Sequence, residues 1–171
     1  MTETQLLLST AGRVTMIATA LTAVTTGIMS GVFFSFSTSV MKALAKLPVP
    51  QGIAAMQTMN VTIVNPLFLL VLAGSTISCV ILLVTAPFTG APHSGLRIAG
   101  TLIYLVGAIG VTAAVNVPMN NALAAADPTS AAGARMWQDY LGRWTKFNHV
   151  RALASIAATA LLTLALLPSG R

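Results

Sequence analysis

Hydrophobic and polar residues occur along this chain in long blocks rather than in residue-by-residue alternation. Four apolar blocks, each near the ~20 residues that cross a bilayer as a helix, cover residues 14–40, 67–86, 96–115 and 150–167. None has the two-residue period of a β-strand, and backbone groups in lipid must be hydrogen-bonded within the protein. The pattern predicts an all-α fold: a four-helix transmembrane bundle of up-down topology, with residues 1–171 forming one integral membrane domain.

Composition supports a membrane location. The chain has 171 residues, of which 56% are hydrophobic and 7% charged, whereas a soluble domain carries about 25% charged residues. The first block follows Arg13 and is much longer than the ~7–15-residue apolar core of a signal peptide. We therefore expect an integral protein of the bacterial plasma membrane, with the first block retained as a helix.

The net charge of +6 comes from nine basic residues spread along the edges of the polar connections. Basic residues beside membrane spans report orientation rather than a nucleic-acid partner, and none is expected. Five of them lie on the first and third connections and three on the opposite side, which weakly favours termini outside the cell. The two groups are Lys42, Lys46, Arg135, Arg143 and Lys146, and Arg13, Arg97 and Arg171.

Prolines mark the expected helix boundaries. Residues 48–52 predict the end of the first helix, and Pro118 predicts the end of the third. Asn65-Pro66 and Asp127-Pro128 each combine a good N-cap with a proline suited to the first helical turn. They predict the start of the second span and of a polar helical segment over 129–140.

An up-down bundle brings the polar ends of all four spans to one membrane face. Hydrogen-bonding side chains are concentrated there, which predicts a binding site at that face. They are Ser35, Ser37, Lys42, Asn60, Asn65, Asn116, Asn120, Asn121, Trp144, Asn148, His149 and Arg151.

Arg151 is the most unusual of these residues. Trp144, Asn148, Arg151 and Ser155 follow spacings of four, three and four, so they share one face of the last helix. A guanidinium one turn inside the membrane is costly, and no carboxylate is near in sequence. Snorkelling to the surface is one explanation; the other is a ligand that supplies a carbonyl, phenolate or enolate oxygen.

His149 carries the one imidazole on this polar face, so it is a candidate general acid–base. The alternative is an interfacial anchor. No metal is expected, because this polar face offers no second histidine, no cysteine and no close carboxylate. The lone Cys79 excludes thiol–disulfide chemistry, and the absence of acidic residues within the spans argues against a pump that uses intramembrane carboxylates.

Four runs of residues resemble the anthrone oxygenase-like family of small four-span membrane proteins. They begin at Gly31, Asn65, Asn116 and Trp144 and read GVFFSFS, NP, NVPMNNAL and WTKFNHVR. The resemblance covers residues 27–166 and implies a membrane location. For some fungal members it also implies oxygenation of an anthrone to an anthraquinone without a known cofactor.

The resulting hypothesis is a membrane-embedded, cofactor-independent oxygenase acting on an anthrone-like aromatic or polyketide compound. His149 would remove a proton, while Arg151 and Asn116 stabilise the charge on the substrate oxygen. The expected substrate-binding residues are Trp144, Asn148, Asn120, Asn121 and Asn65. The alternative is a non-catalytic four-span protein that binds a hydrophobic ligand or a membrane partner and uses the same side chains as an interhelical network.

Overall fold

The computed structural model describes residue 5 and residues 9–168, and this part of the chain contains five helices. Four of them are long and apolar enough to cross a membrane, which confirms the all-α membrane bundle. The helices are α1 (Thr10–Leu44), α2 (Val49–Thr62), α3 (Pro66–Thr85), α4 (Ser94–Ala124) and α5 (Ala131–Leu164). The short α2 is the helix that does not span.

The four spans pack as a closed square. Helix α1 contacts α3 and α5, and α4 contacts the same two helices from the other side. The central core contains Met29 and Phe33 of α1, Cys79 of α3 and Tyr104 of α4, all buried. The buried hydroxyl of Ser75 hydrogen-bonds the Tyr104 hydroxyl at 2.8 Å, so a polar pair joins α3 to α4 within this core.

Local capping chemistry sets several helix starts. The Asn65 side chain accepts a hydrogen bond from the Phe68 amide at 3.0 Å, which confirms the predicted cap of the second span. Contrary to the prediction from the sequence, Asp127 does not cap a helix that begins at residue 129. Its carboxylate accepts hydrogen bonds from Thr129 within a turn, and α5 begins later, at Ala131. These hydrogen bonds hold the pKa of Asp127 below its usual value. Ser130 provides the cap of α5, accepting from Gly133 at 2.9 Å.

Helix α4 does not end at Pro118, contrary to the prediction. It passes through wide π-helical turns at Leu105–Gly110 and Thr112–Asn116 and then continues as Val117–Ala124. A proline needs a gap in the backbone hydrogen-bond ladder, and irregular turns of this kind supply one. Helix α1 contains a similar turn at Phe36–Val40. Such π-helical turns are often found at functional sites.

Helix α2 closes the polar end of the bundle. Its buried residues Ile53 and Met56 join an apolar cluster with Leu44 of α1 and Trp137 of α5. The Gln57 amide donates to the carbonyl oxygens of Leu123 and Ala126 at 2.8 and 3.0 Å. Since these carbonyls lie at the end of α4, Gln57 both caps that helix and fixes α2 in place.

Close helix packing makes Gly107 a sensitive position. A Cβ atom placed there would lie 2.6 Å from the Cβ atom of Ala154 on α5, so α4 and α5 would have to separate. We expect Gly107→Ala to destabilise the protein by about 1–3 kcal/mol, the usual range for overpacking. Thermal unfolding in detergent measures this change.

Gly74 of α3 is the matched control, because a Cβ atom there meets nothing within 4 Å. Gly74→Ala should be neutral or stabilise by up to about 1 kcal/mol through higher helix propensity. Equal melting temperatures for the two variants would contradict the close contact at Gly107.

Candidate functional site

Arg151 lies at the centre of the polar end of the bundle and is buried, with 6% of its surface exposed. Its Nη2 donates to Asn148 Oδ1 at 2.6 Å, and its Nη1 donates to Thr112 Oγ1 of α4 at 3.3 Å. Its Nε is buried and has no hydrogen-bond partner among the residues that the structure describes. Asp127 and Asp139, the acidic residues in the described part of the chain, are both exposed. The guanidinium is thus held by neutral oxygens.

Two aromatic rings face the same guanidinium. Its Cζ atom lies 4.5 Å from the centroid of the Phe33 ring and 5.0 Å from that of the Trp144 ring. Cations over aromatic faces are stabilised by about 0.5–2 kcal/mol, most strongly when they are desolvated. These rings offset part of the cost of burying Arg151 and leave its charge available to an anionic ligand.

Asn148 positions Arg151 and also joins α5 to α1. Its side-chain amide donates to the Phe33 carbonyl and to Ser37 Oγ, both at 2.7 Å, while its Oδ1 accepts from Arg151. Ser37 belongs to the π-helical turn of α1. All three hydrogen bonds are buried, so a change at Asn148 affects the α1–α5 contact and the guanidinium together.

Helix α4 contributes two asparagines. Asn116 is fully buried and donates to the Trp144 carbonyl at 3.3 Å, while its Oδ1 accepts no hydrogen bond from any described residue. Asn120 Oδ1 accepts from Trp144 Nε1 at 2.7 Å and from the Tyr140 hydroxyl at 2.8 Å. The Trp144 ring stacks on Tyr140 with centroids 5.8 Å apart. Asn120 therefore fixes the orientation of the indole beside Arg151.

These side chains border a cavity of about 190 Å³. Its walls come from α1, α3, α4 and α5, and the end of α2 with the following connection covers its polar end. Most of the lining is apolar, including Phe36, Met59, Phe68 and Leu72. The polar lining residues are Asn60, Thr112, Asn116, Asn120, Asn148 and Arg151. An apolar cavity with a few converging polar groups is the usual form of a small-molecule site.

Five of the predicted site residues meet at this cavity. They are Asn116, Asn120, Trp144, Asn148 and Arg151, and each of them lines it. Snorkelling is not the explanation for Arg151, because its side chain is buried among α1, α4 and α5.

Three predicted residues lie elsewhere. His149, Asn121 and Asn65 are all exposed and do not line the cavity. His149 follows Asn148 by one residue, which rotates it about 100° around α5, away from the inward-facing stripe. Asn65 has a structural role as the α3 cap. The structure therefore does not place His149 in the cavity that Arg151 lines.

Sequence reasoning did not select Phe33 and Thr112 as site residues, although both contact the Arg151 guanidinium. A signal for Thr112 existed, because it precedes Asn116 by four residues and so shares its helix face. Phe33 is one of several phenylalanines in an apolar block, and nothing in the sequence distinguishes it. Among the described residues, no three histidine, cysteine or acidic side chains come together as a metal site.

Comparison with known proteins identifies a family. The family described as anthrone oxygenase matches residues 54–161, which is well over half of the chain and runs from α2 to near the end of α5. No curated protein and no solved structure matches the chain. Most residues around the cavity, including Asn116, Trp144, Asn148 and Arg151, fall inside the matched region. This integral membrane protein therefore belongs to the anthrone oxygenase family.

Proposed function

We propose that the protein is a membrane-embedded oxygenase that oxidises an anthrone-like aromatic compound without a cofactor. The observation that carries this proposal is the buried Arg151, whose charge faces an aromatic cavity and is held by neutral oxygens. A desolvated cation of this kind stabilises an anion strongly, because the surrounding dielectric is low. The substrate would bind with its oxygen towards Arg151 and its rings against Phe33 and Trp144.

The proposed chemistry begins with ionisation of the substrate. A methylene group activated by a ring carbonyl loses a proton, and the negative charge moves onto the carbonyl oxygen as an enolate. Arg151 favours the enolate over the neutral ketone in the way that an oxyanion hole does. Among the residues that the structure describes, no carboxylate or imidazole lines the cavity. In this proposal the proton therefore passes to water, and the positive charge of Arg151 drives the ionisation.

The enolate carbon would then react with dioxygen. A carbon–oxygen bond forms, the peroxide anion takes up one proton, and the resulting hydroperoxide loses water to leave a carbonyl group. One oxygen atom of O₂ is thus found in the quinone and the other in water, with no external reductant. In these steps the protein orients the enolate, stabilises its charge through Arg151 and shields it from bulk water.

The same structure supports a second candidate, a non-catalytic protein that binds a hydrophobic ligand. The observation in its favour is that, in the described part of the chain, no ordinary general base lines the cavity, since His149 is exposed and lies outside it. Ligand binding without turnover would need only the cation, the amides and the aromatic walls. Oxygen consumption with anthrone distinguishes the two candidates.

The proposal includes a location in the bacterial plasma membrane. The weak excess of basic residues on the first and third connections would place the cavity on the cytoplasmic side and the termini outside. This orientation can be tested in whole cells by labelling single introduced cysteines. Suitable positions are Thr89 and Thr129, which lie on connections at opposite ends of the bundle.

The mechanism predicted from the sequence uses His149 as the base, whereas the mechanism proposed from the cavity does not. A substitution of His149 distinguishes the two. If His149 were the base, His149→Ala would lower the rate by about 10²–10⁴-fold. Because His149 is exposed and lies outside the cavity, we expect His149→Ala to retain the wild-type rate within about threefold. Initial rates of oxygen consumption with anthrone in proteoliposomes measure this. A loss of 10²-fold or more at unchanged melting temperature would assign the base to His149 and overturn ionisation by Arg151 alone.

A further inference from the structure

An apolar groove on the membrane-facing side of the bundle shares part of its lining with the cavity. It runs between α3 and α4 and has a volume of about 560 Å³. Its walls include the exposed alanines Ala73 and Ala113, and the polar residues among its described lining are Thr76 and Thr112. Leu69, Leu72, Thr112 and Val117 border both the groove and the cavity. The two spaces therefore adjoin along this border.

The sizes of the two spaces indicate how they are used. The cavity of about 190 Å³ is smaller than the ~300–1,000 Å³ typical of sites for drug-sized ligands. A fused three-ring compound whose oxygen reaches Arg151 would need further room for its distal ring. The groove supplies that room on the Thr112 side of the guanidinium, where Arg151 Nη1 donates to Thr112 Oγ1 at 3.3 Å.

From this shared border we infer that the groove between α3 and α4 is both the route from the bilayer and the subsite for the distal ring of a flat, membrane-dissolved aromatic substrate. The inference rests on the proposed function for the identity of that substrate. The groove lining is almost wholly apolar, so it suits a ring that has partitioned into lipid. The small side chains of Ala73 and Ala113 keep the groove open for a planar molecule.

Adding bulk at either wall tests the route. Ala73→Phe and Ala113→Phe narrow the groove from α3 and from α4, and neither alanine lines the cavity around Arg151. Ala160→Phe is the matched control, since Ala160 is an exposed alanine of α5 outside both spaces. Melting temperatures show whether each variant is folded. Two independent positions keep the test usable if one variant is unstable.

The measurement is anaerobic stopped-flow mixing of anthrone-loaded phosphatidylcholine vesicles with vesicles that hold the protein. Binding is followed by quenching of tryptophan fluorescence, and a Trp144→Phe variant identifies the part of the signal that comes from the cavity. We expect both groove variants to slow quenching at least tenfold and Ala160→Phe to stay within twofold of wild type. Oxygen consumption is measured separately in air.

Each outcome decides the inference. Quenching at the wild-type rate in both folded groove variants overturns it, as would be expected if a lipid acyl chain fills the groove; oxygen consumption by the wild type would then still support the proposed function. Slowed quenching without oxygen consumption by the wild type supports the groove and overturns the oxygenase. No quenching in the wild type excludes anthrone as the occupant and overturns the inference.

Discussion

Arg151→Met should lower the rate of anthrone oxidation by about 10²–10³-fold, the usual effect of removing a donor that stabilises a developing oxyanion. Methionine fills a similar apolar volume but supplies no charge and no hydrogen bond to the substrate oxygen. Methionine removes the cost of burying an unpaired charge but leaves Asn148 Oδ1 without its donor. These two effects on the free energy of unfolding oppose each other, so the melting temperature should not fall in parallel with the rate. Initial rates of oxygen consumption and thermal unfolding of the same preparation measure the two effects.

Arg151→Lys refines this prediction. Lysine keeps the positive charge but loses the planar group that donates to Asn148 and Thr112 and lies over the Phe33 and Trp144 rings. We expect a rate between those of wild type and Arg151→Met. Arg143→Met is the control, because Arg143 is an exposed arginine of the same helix, and it should leave the rate unchanged. Wild-type turnover by Arg151→Met would exclude Arg151 as the stabilising group.

Asn148→Leu should be the most destabilising of the site substitutions, by about 2–4 kcal/mol, because it leaves buried polar groups without partners and removes the shorter of the two hydrogen bonds that hold the buried Arg151 charge. Ser37 would lose a donor and Arg151 Nη2 would lose its 2.6 Å acceptor. The α1–α5 contact through the Phe33 carbonyl would also be lost. Activity should fall together with stability, unlike in Arg151→Met.

Asn121→Leu is the matched control for Asn148→Leu. Asn121 is exposed on α4 and does not line the cavity, so its replacement should change stability by no more than about 0.5 kcal/mol. Denaturant unfolding in mixed micelles compares the two variants with wild type. Equal stabilities for all three proteins would contradict the buried hydrogen-bond network around Asn148.

Interhelical hydrogen bonds in membranes contribute only about 0.6 kcal/mol each on average. Stability alone therefore does not account for the number of buried polar side chains at this end of the bundle. Here Asn148, Asn120 and Thr112 hold the Arg151 guanidinium and the Trp144 indole in fixed positions. Fixed positioning of charge and aromatic surface is what a binding or catalytic site requires. Arg151→Met is expected to lower activity without an equal loss of stability, whereas Asn148→Leu is expected to lower both. Comparing the two variants therefore distinguishes a role in binding or catalysis from a role in the fold.

Much of the fold follows from the sequence, because a bilayer constrains it strongly. Blocks of apolar residues near the length of a membrane crossing determined the four spans. Asn65 determined the start of α3 through a local hydrogen bond to the next turn. The spacing of Trp144, Asn148, Arg151 and Ser155 placed them on one face of α5, which the structure shows to be buried. Each of these features depends on residues close together in the chain.

Other features of the site depend on tertiary structure and could not be predicted from local sequence patterns. His149 and Asn148 are adjacent polar residues, and only packing against α1 and α4 shows that Asn148 faces the cavity while His149 is exposed. The continuation of α4 through Pro118 depends on π-helical turns that a local proline rule does not anticipate. Phe33 became part of the site because α1 lies beside Arg151 of α5. Contacts between segments far apart in the chain decide such features. The hydrophobicity and the helical period of a segment do not depend on which other helix its face contacts, so they do not identify that helix.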